Sequence, residues 1–131
     1  MKGKLYLCPT PIGNLGDITL RTLDVLKSVD LIAAEDTRVS SKLLKHFDIK
    51  VPTTSYYEHN KREKGGYLLE KLLTGENIAV ITDAGMPGIS DPGEDLVRLC
   101  IENEIEVEAL PGPCAFATAL VASGMPTGRF A

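Results

Sequence analysis

Asn77-Ile78-Ala79-Val80-Ile81-Thr82 runs directly into Asp83-Ala84-Gly85-Met86-Pro87-Gly88-Ile89-Ser90-Asp91-Pro92-Gly93. The first part has a fully apolar centre, as expected of a strand buried on both faces. The second part holds three glycines and two prolines in eleven residues, too many for a minimal turn. Leu96, Val97, Cys100 and Ile101 then recur at helical spacing. Asp91, Pro92 and Glu94 suit N-cap, N1 and N3, so a capping box is expected there. Strand, long shaped loop and helix form one unit of an α/β fold.

The same unit repeats outward in both directions. Lys4–Cys8, Leu31–Ala34, Thr53–Tyr57 and Ile105–Leu110 read as further strands. Helices are expected from an Asp17 cap to about Val29, over Ser40–Phe47, and along the stripe Leu68, Leu69, Leu72, Leu73 closed by Gly75. Ala115–Ser123 reads as a last, buried apolar helix. The expected fold is α/β: a mainly parallel five-stranded sheet with helices on both faces. Ligands of such sheets bind beyond the carboxyl ends of the strands.

The 131 residues suit one domain. Hydrophobic residues make up 44% and charged residues 24%, which excludes wholesale disorder. Fourteen basic against eighteen acidic residues give a net charge of −4, which argues against an autonomous basic nucleic-acid clamp. Aromatics at 5%, with no Trp, disfavour a stacking platform. Cys8, Cys100 and Cys114 form no C-x-x-C pair and read as buried thiols in a reducing, cytoplasmic setting. No signal peptide or membrane span is expected. The apolar run near Leu5 is short, and Ala109–Gly128 is broken by three prolines.

The chemistry is expected in the loops after the strands. Pro9–Asp17 lacks both the G-x-G-x-x-G and the P-loop spacing, which excludes two common nucleotide readings. Its two prolines stiffen the chain while Gly13 and Gly16 allow close approach. Glu35-Asp36-Thr37-Arg38 offers carboxylates for a proton or hydroxyl and a guanidinium for a phosphate. The plainer account of Asp36 or Thr37 is a helix cap with Arg38 pairing locally. His59, within Tyr56–Asn60, is a candidate acid or base. No metal site is expected, because no His or Cys partner stands at ligand spacing. Pro111-Gly112-Pro113-Cys114-Ala115 opens a helix with its backbone donors toward the same edge.

Taken together and in order, Cys8–Asp17, Glu35–Arg38, Glu58-His59-Asn60, Asp83–Gly93 and Pro111–Pro113 resemble the amino-terminal half of the 16S ribosomal RNA cytidine 2′-O-methyltransferases, within the tetrapyrrole-methylase superfamily. The combination is specific; no single loop would be. Met86, Cys114 and Tyr57 stand where that family usually has Thr, Ser and His. The resemblance implies a two-domain fold of which residues 1–131 are the amino-terminal domain, with a carboxy-terminal domain outside this chain. It implies S-adenosylmethionine as methyl donor and a ribose 2′-hydroxyl as acceptor. Ile12, Asp83, Met86, Ile89, Ser90, Cys114 and Ala115 are then expected on the donor side. Asn14, Glu35, Asp36, Arg38, Glu58 and His59 are expected on the substrate side, with the base among them left open. The implied partners are 16S ribosomal RNA in the small subunit and a second copy of the chain. Two other readings keep different functions. One is a methyltransferase of the same superfamily acting on a tetrapyrrole or a protein. The other is a non-catalytic binding or dimerisation module.

Overall fold

The computed structural model describes residues 1–89 and 91–130. Its elements, in chain order, are β1 (Lys4–Leu7), α1 (Leu20–Ser28), β2 (Leu31–Ala34), α2 (Thr37–His46), β3 (Thr53–Ser55), α3 (Lys61–Leu73), β4 (Ile78–Ile81), α4 (Gly93–Glu102), β5 (Glu106–Ala109) and α5 (Ala115–Ser123). The five strands form one parallel sheet in the order β3-β2-β4-β1-β5.

The strand pleat sorts the core into two layers. Leu5, Leu7, Leu31, Ala33, Ile78 and Val80 meet Leu68 and Leu72 of α3 and Leu96 and Cys100 of α4. The alternate positions Ile32, Ala34, Ala79 and Ile81 meet Leu26 of α1 and Leu44 of α2 on the other face. Helices on both faces explain why β2 and β4 are buried at every position. The outer strands are short or polar: Thr53 of β3 and Glu106 of β5 face solvent.

The helix starts depart from expectation for local reasons. Asp17 does not cap α1. It closes a 3-10 turn, Leu15–Asp17, whose cap is Asn14. Ile18 is extended after that turn, so the cap of α1 passes to Thr19, which accepts from the Thr22 amide. The α2 helix begins at Thr37, ahead of the expected Ser40, because Asp36 accepts from the Arg38 amide. The capping box at Asp91 does not form. The Asp91 carboxylate accepts from both Gly88 and Gly93 amides, and α4 starts at Gly93. The Glu94 side chain turns to Arg98 instead. The third strand ends at Ser55, because Tyr56 turns into the core and donates its hydroxyl to the Pro92 carbonyl at 2.9 Å. That burial pushes the Tyr56 phenol up to about 12.

Cys8 and Cys100 are buried, and burial pushes their thiols up to about 12 and about 11. Cys114 is only half-buried, at the N-cap of α5. The α5 helix is apolar as expected, yet it holds no buried residue. Both sheet faces are already covered by α1–α4, so no core surface of this domain remains for it.

Candidate functional site

The β1–α1 connection leads to one face of the sheet and the adjacent β4–α4 connection leads to the other. The chain therefore opens a crevice beyond the carboxyl ends of β1 and β4, the position at which such sheets bind ligands. A single antiparallel bridge crosses it. Thr10 and Gly85 exchange backbone hydrogen bonds, each 3.0 Å. The Thr10 hydroxyl points to the Thr82 carbonyl at 3.4 Å.

The loop after β5 closes on the same point. A Cβ at Gly85 would lie 3.2 Å from Ile12 Cγ2 and 3.7 Å from the Pro113 carbonyl oxygen. Gly85 also has φ +83°, so a side chain there is strained as well as crowded. A Cβ at Gly112 would lie 2.4 Å from Pro9 Cγ. Three loops distant in sequence thus touch through glycine. Of the expected donor-side residues, this contact brings Ile12 beside the loop carrying Asp83, Met86 and Ile89, and beside the segment entering Cys114 and Ala115. Ile12, Asp83, Ile89 and Ala115 are exposed, and Met86 and Cys114 are half-buried. Ser90 lies outside the described residues.

A polar cavity of about 460 Å³ adjoins this junction, lined by Glu35, Asp36, Thr37, Arg38, Ser55, Tyr57 and Asp83. Its two principal carboxyls are set in opposite senses. Burial raises Glu35 above the usual carboxylate range, and the nearby Asp83, Asp91 and Asp36 charges add to the rise. Hydrogen bonds from the Arg38 guanidinium and amide hold Asp36 below that range. Asp36 therefore does what the plainer account expected: it caps α2 and pairs with Arg38 at 3.2 Å.

The remaining expected residues stand apart from this cavity. Glu58 pairs with Lys61 at 2.9 Å, and Lys61 also reaches Asp95 at 2.7 Å. His59 is exposed, with its ring edge-on to Tyr57 at 6.2 Å. The Asn14 side chain accepts from the Gly16 amide at 2.9 Å. Glu58, His59 and Asn14 line neither this cavity nor its neighbour.

That neighbour is an apolar cavity of about 310 Å³ between the β1–α1 loop and α2. Leu15, Val39 and Leu43 form its apolar walls, with Lys42 and His46 at the α2 side. Asp83 lines both cavities. Sequence reasoning missed Lys42, His46, Ser55 and the apolar walls. One signal was present: Val39 and Leu43 are spaced i, i+4 beside Ser40 and Leu44, giving α2 a second apolar edge beyond its core stripe.

The family model for tetrapyrrole (corrin/porphyrin) methylases matches residues 4–131. The chain belongs to this family. It is 56% identical over 128 residues to a Synechocystis protein named ribosomal RNA small subunit methyltransferase I, covering 98% of this chain and 46% of that one. It is 56% identical over 129 residues to the Escherichia coli O157:H7 protein of the same name, covering 98% and 45%. The chain thus spans about half the length of the curated relatives it matches. Uroporphyrin-III-C-methyltransferase from Thermus thermophilus superposes with a TM-score of 0.72 at 23% identity, over 96% of this chain and 55% of that one. A conserved hypothetical protein from Aeropyrum pernix superposes at 0.75 with 20% identity, over 100% and 46%. These likenesses establish the family fold, the parallel five-stranded α/β domain described above.

Proposed function

We propose that this chain forms the donor-binding half of an S-adenosylmethionine-dependent methyltransferase acting on a cytidine ribose 2′-hydroxyl in small-subunit (16S) ribosomal RNA. The observation that carries the reading is the junction at Gly85, where three strand-end loops meet next to a polar cavity through the shared residue Asp83. The names of the relatives at 56% identity support ribosomal RNA as the substrate class.

The residues at the junction suit the proposed donor. Exposed Ile12 and Ile89 and half-buried Met86 offer apolar contact to a nucleoside. Asp83 and the glycine-rich backbone offer hydrogen bonds with little side-chain obstruction. Ser90, Cys114 and Ala115 complete the proposed donor side. The donor, when bound, supplies a methyl group on a sulfonium centre. The domain's own contribution is to hold the two reactants in line, which can account for much of the rate.

On the substrate side, Glu35 is the preferred proton acceptor. Its partly buried carboxyl is raised toward the range useful to a general base, whereas Asp36 is committed to Arg38. Arg38 is exposed and suits a phosphate. Asn14, Glu58 and His59 are assigned to the outer substrate surface, since all three are exposed. A homodimer in the cytoplasm completes the reading. Among the described residues no helix is long and apolar enough to cross a membrane.

Calorimetric titration with S-adenosylmethionine tests the donor site. The chain extended to its relatives' length is expected to bind saturably, and Asp83→Ala to weaken that binding about tenfold, the loss of one good hydrogen bond to a charged group. Unchanged affinity would remove Asp83 from the site. Methyl transfer to small-subunit particles, and none to a corrinoid precursor, separates the ribosomal substrate from a tetrapyrrole one.

A further inference from the structure

The α2 helix, Thr37–His46, carries Arg38, Lys42 and Lys45 and no acidic residue, so it is strongly basic within a chain of net charge −4. With His46, these side chains fall at i, i+4, i+7 and i+8, which places them along one side of the helix. All four are exposed, while Ser40 and Leu44 turn into the core. Among the described residues, Lys42 and Lys45 have no carboxylate partner. Arg38 pairs with Asp36, and elsewhere Lys4, Lys61, Lys71 and Arg98 pair with acids.

The stripe runs past both cavities. Arg38 lines the polar one, and Lys42 and His46 line the apolar one. Asp83 joins the two. A row of cations alone fits any polyanion. A row of cations beside an apolar slot whose lining includes the exposed Asp83 carboxylate fits one whose bases are unstacked and free to turn inward. We infer that the outward side of α2 is the track for a single-stranded RNA segment, with phosphates along Arg38, Lys42, Lys45 and His46 and bases toward the apolar cavity. The proposal rests on the ribosomal RNA reading for the identity of the polyanion. It also resolves a conflict in the composition: RNA binding does not require a basic domain if one helix presents cations with no acidic residue among them.

The test uses the chain extended to its relatives' length and a labelled single-stranded RNA of mixed sequence, with binding followed by fluorescence anisotropy across a salt series. Lys42→Ala/Lys45→Ala is expected to weaken binding several-fold. It is also expected to reduce the slope of log K against log salt by about 1.4, from ~0.7 per phosphate contact on a single strand. Lys2→Ala/Lys27→Ala removes the same charge near the opposite ends of the strands and is expected to bind as the parent does. The same RNA annealed into a duplex is expected to bind less tightly. Equal binding by the α2 variant, an equal loss in the control variant, or tighter binding of the duplex overturns the track. Methyl transfer to small-subunit particles is measured in parallel. A parent protein that binds RNA with these features but transfers no methyl group leaves the track supported and defeats the proposed function alone.

Discussion

Glu35 and Asp36 are neighbours with opposite electrostatics. Burial raises the Glu35 carboxyl, so the folded chain holds that proton more tightly than the unfolded chain does. Its charge therefore costs stability once pH rises from the ordinary carboxylate range through the raised value. Asp36 runs the other way: Arg38 lowers it, so its contribution is present above the ordinary range and is lost as pH falls through the lowered value. Glu35→Gln is expected to raise the melting temperature at neutral pH and to flatten its fall above the carboxylate range. The same substitution in the extended chain should lower methyl transfer by about 100-fold or more, the usual contribution of a general base, with donor affinity retained. Transfer at the parent rate would reassign the base. Arg38→Ala should reduce transfer to small-subunit particles and spare donor affinity, since Arg38 lies in the polar cavity and outside the glycine junction.

At the scale of elements, the caps show how short-range chemistry sets boundaries. Asp17 is the cap expected from the sequence, and a local turn moves that role to Thr19. Asn14 binds the Gly16 amide, the chain closes a 3-10 turn, and Ile18 must extend before α1 can start. Thr19→Ala should therefore destabilise the domain by about 1 kcal/mol, as the loss of a threonine cap does, whereas Asp17→Ala should have little effect. Urea unfolding of the two variants measures the difference, and equal effects would return the cap to Asp17. The strands and the apolar stripes of α3 and α4 were legible in the sequence, because period and burial there follow one pattern. The capping box expected at Asp91 does not form, because the Asp91 carboxylate accepts from Gly88 across its own loop as well as from Gly93.

Across the whole molecule, stability is unevenly distributed. The β4 strand is buried on both faces and bonded on both sides, while α5 has nine residues and no buried side chain. A helix that short is marginal in water without packing. Amide hydrogen exchange of this 131-residue chain should therefore be fast across Ala115–Ser123 and slowest at Ile78–Ile81, the latter near the global unfolding limit. Protection of α5 comparable to that of β4 would contradict the exposure described here.

By itself the sequence determined the α/β class, the strand cores and the glycine- and proline-rich loops that follow the strands. Apolar runs and helical stripes state their own burial, and glycine and proline state where the chain must bend. Only the tertiary structure decided the strand order β3-β2-β4-β1-β5, and with it the meeting of residues 12, 85 and 113. It also decided that Asp83 serves two cavities, that Asp36 is spent on a cap, and that Arg38, Lys42 and His46 of α2 stand beside those cavities. Those outcomes depend on which segments pack together across long chain separations, and no local period encodes that.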